Sequence, residues 1–363
     1  MFRLPEYQEP DFTKDTFVSA PDVRTVAAPA DGVLPDDYYA TNIYPEYFKI
    51  ESRWKLIHAA RMDCAVVIAD GCPVATEARR VRKDDSIVVG REEDLSNGVF
   101  TDYLAFQDAN GRGGAQSFAF RTGKSRETSF SRDYDEMYEI LRHDREHGTI
   151  VWVLGPAVAF DYDSRRAMSA LVGNGYVHAI LAGNALATHD MEASLFHTGL
   201  GQDIYIKELC YNGHYHHLET INRVRRCGSI AKFIEQNPSQ DGIVASCIRN
   251  QVPMVLAGSI RDDGPLPGVI ANVYEAQDSM RQYTMRATTI IALATQLHTI
   301  ATGNMTPSWQ IVDGKLRPVY FYTVDISEFA VGKLRDRGSL STISIVTNVQ
   351  DFLINAARSL DVL

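Results

Sequence analysis

After about residue 131 the chain alternates between short apolar runs and segments with helical spacing. Six runs are apolar on nearly every residue, which is typical of parallel strands covered by helices on both faces. These runs cover residues 149–158, 176–184, 241–246, 253–259, 318–327 and 341–349. The alternation predicts an α/β domain with a doubly wound, mostly parallel sheet over residues 131–363.

Capping residues and apolar stripes mark the helices between these runs. Asp133 with Glu136 three residues later is a capping-box pattern, and Gly148 is a stop signal, so a helix is predicted between them. The remaining helices are predicted over residues 164–175, 189–197, 217–236, 277–302, 328–338 and 350–360. The helix over 277–302 contains the apolar segment TTIIALATQLHTIATGNM, most of which is interpreted as core.

The first 130 residues follow a different pattern. Residues 51–130 contain short strand-like runs separated by turns, such as DCAVVIADG and DSIVVGREE, so we predict a smaller β-rich domain there. Residues 1–50 are rich in Pro, Asp and Tyr and show no clear period, which predicts an irregular N-terminal arm.

The composition excludes several classes of protein. A hydrophobic fraction of 45% supplies enough apolar material for a sizeable core. The net charge of −10 and the lack of a basic stripe argue against nucleic acid as a partner. No apolar run reaches about 18 residues and the N-terminus does not resemble a secretory signal, so we expect no membrane association and a cytoplasmic location. An α/β domain of this size often pairs, so a homo-oligomer is expected.

Cysteines and histidines match no metal-binding pattern. The five cysteines are scattered, and none forms a CxxC pair. His214, His216 and His217 lie close together, but their spacing suits the polar start of a helix as well as it suits a metal. We therefore predict no metal.

Glycines, amides and carboxylates gather where the predicted strands end. Ligands of doubly wound sheets bind at these carboxyl ends, which here read GPAV, AGNALATHD, AGSIRDDG, TVDIS and VTNV. The chain contains no GxGxxG fingerprint, GxSxG elbow or P-loop. Asp325 in TVDIS has a position that suits the ribose of an adenosine, although many such aspartates only cap the next helix. The charged residues 261–263 likewise suit either a ligand site or a solvated turn.

Longer motifs resemble those of a known family. LAGNALATHDMEASLF, LAGSIRDDGPLPGVI, AQDSMR, TQLHTIATGNM, VDIS and IVTNV follow the same order as in the region once labelled LOR/SDH. That region forms the archaeal-type ornithine cyclodeaminases and the C-terminal part of the cyanobacterial arginine dihydrolase/ornithine cyclodeaminase enzymes. The resemblance covers residues 56–363 and is strongest from Gly155 onward.

This resemblance implies a Rossmann-like domain, related in shape to deoxyhypusine synthase, that retains NAD through the catalytic cycle. The implied reaction converts L-ornithine into L-proline and ammonia, with a hydride taken from the α-carbon and returned after ring closure. The positions that match the NAD-binding motifs of the family are Asn184, Ala185, Asp263, Thr295, Gln296, Leu297, His298, Asp325, Asn348 and Val349.

Such a reaction needs a carboxylate that holds the distal ammonium group and a group that shuttles protons. Asp262, Asp190 and Glu192 are the candidates for the carboxylate. His189 is the candidate proton shuttle, because imidazole titrates near neutral pH.

The sequence leaves the substrate and the reaction open. The family's GPAVVHTG is replaced here by GPAVAFDYDS, which either adapts the site to a polyamine or longer diamino acid or is a surface variation. The alternatives to ornithine cyclodeaminase are an NAD-dependent cyclodeaminase, dehydrogenase or aminoalkyl transferase acting on another amino acid or diamine, and a non-catalytic NAD-binding module.

Overall fold

The computed structural model of the chain describes residues 4–107, 131–260, 264–327 and 341–363. Antiparallel strands form its N-terminal part. The strands are β1 (Glu6–Tyr7), β2 (Arg24–Ala27), β3 (Glu46–Ile50), β4 (Arg53–Leu56), β5 (Ala65–Ala69), β6 (Cys72–Thr76), β7 (Ser86–Val89), β8 (Val99–Thr101) and β9 (Phe106–Gln107). They form one sheet of order β2-β7-β5-β6, a second of order β4-β3-β8, and the pair β1-β9. The short helix α1 (Asp15–Val18) and a 3-10 turn (Ala78–Arg80) lie between strands.

The segment predicted to be an irregular arm contributes strands to both larger sheets. Strand β2 pairs with β7, and β3 pairs with β4 and β8. These strands could not be predicted from the sequence, because β2 is exposed on every residue and β3 is buried on every residue. Neither therefore shows the alternation that marks a half-buried strand. The predicted limits of the domains stay a prediction.

A six-stranded, entirely parallel sheet follows, which confirms the predicted fold class. Its strands in chain order are β10 (Ile150–Leu154), β11 (Ala179–Gly183), β14 (Met254–Ala257), β15 (Thr289–Leu293), β18 (Tyr320–Asp325) and β19 (Ser341–Val346); two short hairpins, β12 (Thr198–Gly199) with β13 (Gln202–Asp203) and β16 (Trp309–Val312) with β17 (Lys315–Pro318), lie outside it. The spatial order is β14-β11-β10-β15-β18-β19. The topology therefore reverses between β10 and β15, where doubly wound sheets open a ligand crevice.

Helices cover both faces of this sheet. They are α2 (Ser131–His147), α3 (Tyr162–Gly173), α4 (Asn184–Phe196), α5 (His216–Cys227), α6 (Ile230–Gln236), α7 (Gly242–Arg249), α8 (Val273–Thr284), α9 (Gln296–Met305) and α10 (Val349–Ser359), with 3-10 turns at Pro156–Ala159 and Gly213–Tyr215. Neighbouring residues of strand β10 point to opposite faces of the sheet. Trp152 belongs to the core formed with α3, α4 and α10, whereas Val151 and Val153 belong to the core formed with α8 and α9.

Six strands were predicted and the described residues form a six-stranded sheet, but two of the predicted elements were wrong. The run TIIAL inside the predicted 277–302 helix is the central strand β15, as its β-branched residues favour. The predicted strand over 241–246 is instead the start of helix α7. Backbone N–H groups of Ile243 and Val244 there donate to the Asp190 carboxylate at 3.1 and 2.8 Å. A contact so distant in sequence leaves no local signal.

Other differences concern helix limits. The predicted capping residue Asp133 lies inside helix α2, since the described residues 131–147 are helical. The predicted 217–236 helix is two helices, α5 and α6, divided at Gly228 with φ +81°. The predicted 328–338 helix lies outside the described residues.

The β16–β17 hairpin connects the α/β domain to the N-terminal sheets. Trp309 and Leu316 of this hairpin are buried in the same hydrophobic cluster as Phe48 of β3. Arg317 on the hairpin forms a buried bidentate pair with Asp144 of α2, with N–O distances of 2.7 and 3.0 Å. The hairpin of the α/β part therefore contributes two apolar side chains to the core of the N-terminal sheets.

We predict that Glu46 makes stability depend on pH. Its side chain is fully buried in β3, and burial raises the pKa of Glu46 to about 8 despite a 2.6 Å hydrogen bond from the Tyr39 hydroxyl. The unfolded chain loses this proton near the ordinary value of 4.5, so unfolding becomes easier as pH rises from about 4.5 to 8. Glu46→Gln should flatten that decline, measured as melting temperature between pH 5 and 9.

The exposed Glu51 provides the matched control, because Glu51→Gln should leave the pH dependence of the melting temperature as in the wild type. Equal declines in the Glu46→Gln variant and the wild type would contradict a protonated Glu46.

Candidate functional site

A tight backbone contact forms the floor of the crevice between β10 and β15. The N–H of Gly155 donates to the carbonyl of Leu293 at 2.8 Å. A Cβ atom on Gly155 would collide with the carbonyl oxygen of Ala294, so this position accepts only glycine. Ala294 itself has φ +49°, in the left-handed region that L-residues rarely adopt. The strain lies where the chain leaves the central strand, as is common at ligand sites.

The helices that follow β11 and β15 begin without a capping side chain. Gly183 and Thr295 are the N-cap residues of α4 and α9; Gly183 has no side chain to cap its helix, and the Thr295 hydroxyl accepts no hydrogen bond from the first turn of α9. Asp161, Asn272 and Asn348, in contrast, cap α3, α8 and α10 with their side chains. A helix start of this kind beside a crevice offers N–H groups and the positive end of the helix dipole to an anion.

The carboxyl edge of the sheet carries the predicted cofactor residues that the structure describes. Asn184 and Ala185 follow β11, residues 295–298 follow β15, Asp325 ends β18, and residues 348–349 follow β19. A Cβ atom on Gly183 would lie 3.2 Å from Cε1 of His298, so the ends of β11 and β15 approach each other above β10. Asp262 and Asp263 lie outside the described residues.

Several of these side chains also bond within the protein. Oδ1 of Asn184 accepts the N–H of Leu266 at 2.9 Å and thereby holds the segment after β14. Oδ1 of Asn348 accepts the N–H of Gln350 at 2.8 Å. Val349 is buried in the core. Their contribution to a ligand is therefore limited to the remaining amide hydrogens and the backbone.

Asp325 and the start of α9 are more open. Oδ1 of Asp325 accepts the N–H of Ser327 at 2.8 Å, and Oδ2 has no hydrogen bond to a described residue. Gln296 and Leu297 are exposed, Leu297 at 77%, and Oγ1 of Thr295 lies 3.4 Å from Nδ1 of His298. These groups are the ones best placed to meet a ligand from solution.

Asp190, one of the predicted catalytic residues, is enclosed by contacts within the protein. Its side chain is fully buried, Oδ1 accepts Nε of Arg165 at 2.9 Å, and both oxygens accept the α7 backbone N–H groups described above. Gly242 lies so close that a Cβ there would contact the Arg165 guanidinium and the Asp190 carboxylate. With every contact directed into the protein, this carboxylate cannot hold a substrate ammonium group.

His189 and Glu192 lie on another face of α4. Nδ1 of His189 is 2.7 Å from Oε2 of Glu192, and the imidazole is about one-tenth exposed. The ring of Phe160, which follows the turn after β10, lies 5.3 Å from the imidazole. His189 therefore faces the segment that leaves the crevice, which suits the predicted role in proton transfer.

Sequence reasoning missed the residues that hold these groups. Arg165 lies in the helical pattern SRRAMS, where a buried arginine looks like a surface one. Thr198 and His216 contact each other, with Oγ1 and Nδ1 2.8 Å apart, although they are separated by a long loop. Gly155 had the one readable signal, because a glycine directly after an apolar strand often marks a close backbone approach.

No group of three or more His, Cys, Asp or Glu residues in the described ranges is arranged to hold a metal ion. His216 bonds to Thr198, and the five cysteines are free thiols. Among the helices that the structure describes, none has the length and apolar character needed to cross a membrane.

One cavity of about 970 Å³ lies away from the carboxyl edge of the parallel sheet. Its walls come from the N-terminal segment, helix α2 and the β16–β17 hairpin, and they include Glu6, Trp54, His147 and Lys315. None of the residues predicted to bind cofactor or substrate lines it.

A structural Asp190 predicts a large loss of stability in Asp190→Asn. The exchange leaves the buried Arg165 with only the largely exposed Asp241, 3.0 Å away, as an ionic partner, so the free energy of unfolding should fall by about 3–5 kcal/mol. Chemical denaturation measures this loss. Asp163→Asn, an exposed change in the first turn of α3, should cost under about 1 kcal/mol. An Asp190→Asn protein of normal stability that had lost all turnover would instead support a catalytic aspartate.

Known proteins resemble this chain, and a family model matches most of its α/β part. A family model described as arginine dihydrolase ArgZ-like, C-terminal, Rossmann fold, matches residues 135–356. An ornithine cyclodeaminase of Methanopyrus kandleri is 39% identical over 346 residues, which cover 94% of this chain and 79% of that protein.

Solved structures show the same relationship. The crystal structure of a conserved putative LOR/SDH protein from Methanococcus maripaludis S2 is similar with a TM-score of 0.82 and 34% identity, covering 94% of this chain and 98% of that one. The ternary complex of AgrE with ornithine and NAD+ is similar with a TM-score of 0.58 and 33% identity, covering 94% of this chain and 46% of AgrE. The resemblance drawn from the motifs is thus confirmed, and the chain belongs to the family of ArgZ-like C-terminal Rossmann-fold domains.

Proposed function

We propose that this protein is an NAD-dependent ornithine cyclodeaminase that converts L-ornithine into L-proline and ammonia. The observation that carries the proposal is the carboxyl edge of the sheet, where two uncapped helix starts and the family's motif residues meet at the reversal point. The names of relatives agree, since the Methanopyrus protein is an ornithine cyclodeaminase and AgrE has been solved with ornithine and NAD+.

The groups at this edge fit a dinucleotide. The first turns of α4 and α9 suit a pyrophosphate, and the carboxylate of Asp325 suits the hydroxyls of a ribose. We propose that the remaining contacts come from the other motif residues of the family: Asn184, Ala185, Asp263, Thr295, Gln296, Leu297, His298, Asn348 and Val349.

NAD, when bound, would accept a hydride from the α-carbon of ornithine and return it after ring closure, so that the reaction causes no net oxidation. His189 accepts a proton from the α-ammonium group, because the nitrogen needs its lone pair before the α-carbon is oxidised. Holding the distal amine within reach of that carbon makes ring closure effectively unimolecular. Asp190 is buried and paired with Arg165, and Glu192 is hydrogen-bonded to His189. We therefore propose Asp262 as the carboxylate that holds the distal ammonium.

The acidic segment after β10 gives little support to a polyamine substrate. Oδ2 of Asp161 caps α3 through the N–H of Ser164 at 3.0 Å, and Oδ1 pairs with Lys207 at 3.0 Å. Phe160 packs near His189 and Gly199 instead of presenting charge. These contacts favour a substrate no larger than the family's ornithine.

The proposed reaction predicts proline formation from ornithine without added reductant. Purified protein carrying NAD should release proline and ammonia in equal amounts, measured by amino-acid and ammonia assays. The absorbance band of reduced nicotinamide should rise only to the level of bound cofactor. Accumulation of NADH in proportion to substrate consumed would indicate a dehydrogenase, and absence of any spectral change with amino acids or diamines would indicate a non-catalytic NAD-binding module.

We predict that Asp325→Asn weakens NAD binding by about 10- to 100-fold, because a hydrogen bond to a charged group contributes about 1.5–3 kcal/mol. The amide oxygen still accepts the N–H of Ser327, so the fold should be retained. Isothermal titration with NAD measures the change. Asp351→Asn, at an exposed site in the first turn of α10, is the matched control and should bind NAD as the wild type does. Unchanged affinity in Asp325→Asn would remove Asp325 from the cofactor site.

A further inference from the structure

A carboxylate with four hydrogen-bond partners lies one turn after His189. Oε2 of Glu192 is 2.7 Å from Nδ1 of His189 and 3.3 Å from the N–H of Leu200. Oε1 accepts the Thr198 hydroxyl and the N–H of Gly201, each at 2.9 Å. Burial raises the pKa of Glu192, but the donors, above all His189, lower it by more, so that its net pKa lies below the usual range. Glu192 is therefore an ionised carboxylate.

These contacts determine where the hydrogens lie. An ionised carboxylate only accepts hydrogen bonds, so Nδ1 of His189 must carry a hydrogen, and Nε2 of the neutral ring then carries the lone pair. The single proton of the Thr198 hydroxyl is directed at Glu192. Its oxygen therefore accepts from Nδ1 of His216 at 2.8 Å. One carboxylate thus sets the hydrogen positions of His189 directly and of His216 through Thr198.

The surroundings of His189 leave Nε2 available. No described residue forms a hydrogen bond with that atom. His217 contributes the closest other titratable ring, 6.5 Å away between centroids. The nearby charges have partners elsewhere, since Asp190 pairs with Arg165 and Lys207 pairs with Asp161. Glu192 is consequently the charge that acts on His189.

We propose that Glu192 is a positioning residue, which holds His189 in the tautomer whose Nε2 accepts a proton from the substrate. The proton passes from the α-ammonium group to Nε2, and Glu192 stabilises the imidazolium that forms. The distal ammonium gives a proton to its carboxylate before its nitrogen attacks the α-carbon. The ring nitrogen then releases its extra proton to solvent, and the proton on His189 passes to the α-amino group, which leaves as ammonia. The substrate rests on the function proposed above, whereas the tautomer depends only on the geometry of Glu192. Glu192 therefore acts through His189 and does not hold the distal ammonium of the substrate.

The tautomer is measured without substrate or turnover. Ring-nitrogen NMR shifts of His189 in the wild type should show hydrogen on Nδ1. In Glu192→Gln the amide NH₂ faces the ring as a donor, so the hydrogen should move to Nε2. A wild-type His189 that carries its hydrogen on Nε2 overturns the proposal even if the variant does not fold. An unchanged tautomer in the folded variant overturns it as well.

Kinetics then separate positioning from structural support. Glu192→Gln should lower kcat for proline formation by about 100-fold or more with little change in KM, because proton transfer contributes about that factor. The double variant with His189→Gln should be no slower than His189→Gln alone, since both changes remove one function. Glu219→Gln, an exposed ion-paired glutamate on α5, is the matched control and should keep the wild-type kcat.

The two proposals fail in different ways. A wild type with hydrogen on Nδ1 of His189 that forms no proline overturns the ornithine reaction and leaves the positioning of His189 supported. A wild type that forms proline, together with a fully active Glu192→Gln variant, overturns the positioning role and leaves the reaction supported. Multiplied losses of kcat in the double variant would also overturn it.

Discussion

The buried ion pair between Arg165 and Asp190 holds the helix on which the proposed chemistry depends. Their side chains are 3% and 0% exposed, so each buried charge depends on its ionic partners, which for Arg165 also include Asp241 at 3.0 Å. The same carboxylate accepts backbone N–H groups at the start of α7, which has no capping side chain of its own. This ion pair and its hydrogen bonds therefore join helices α3, α4 and α7, together with the hydrogen bond from the Ser246 hydroxyl of α7 to the Ser169 carbonyl of α3 and the apolar cluster that the three helices share.

Helix α4 meets three different surroundings because successive residues turn by about 100° around its axis. Its first residue lies at the carboxyl edge of the sheet, and the side chain of Asp190 is directed into the core. His189 and Glu192 meet the loop that begins at Thr198. Helix α4 therefore keeps its first turn, proposed to meet the cofactor, at a constant separation from His189, the proposed proton acceptor, which suits a reaction in which both act on one substrate.

The fold was largely readable from the chain because continuous apolar runs and capping residues are local signals. Two segments show where local signals fail. TIIAL is a strand although helical sequence surrounds it, and GIVAS lies in a helix whose first N–H groups bond to a carboxylate 53 residues away. The site was readable only in part. Asp325 has a positional signal at a strand end, whereas the different roles of Asp190 and Glu192 depend on Arg165 and Thr198, which become neighbours only in the folded chain.

The hairpin that inserts Trp309 and Leu316 among N-terminal side chains has a consequence for how this domain is divided. The region matched by the family model begins at residue 135, yet it carries a hairpin whose apolar residues are covered by residues near the start of the chain. Cutting the chain at that limit would expose a tryptophan and a leucine to water and invite aggregation. The unit that keeps this tryptophan and leucine buried is thus larger than the Rossmann-fold region that the family model matches.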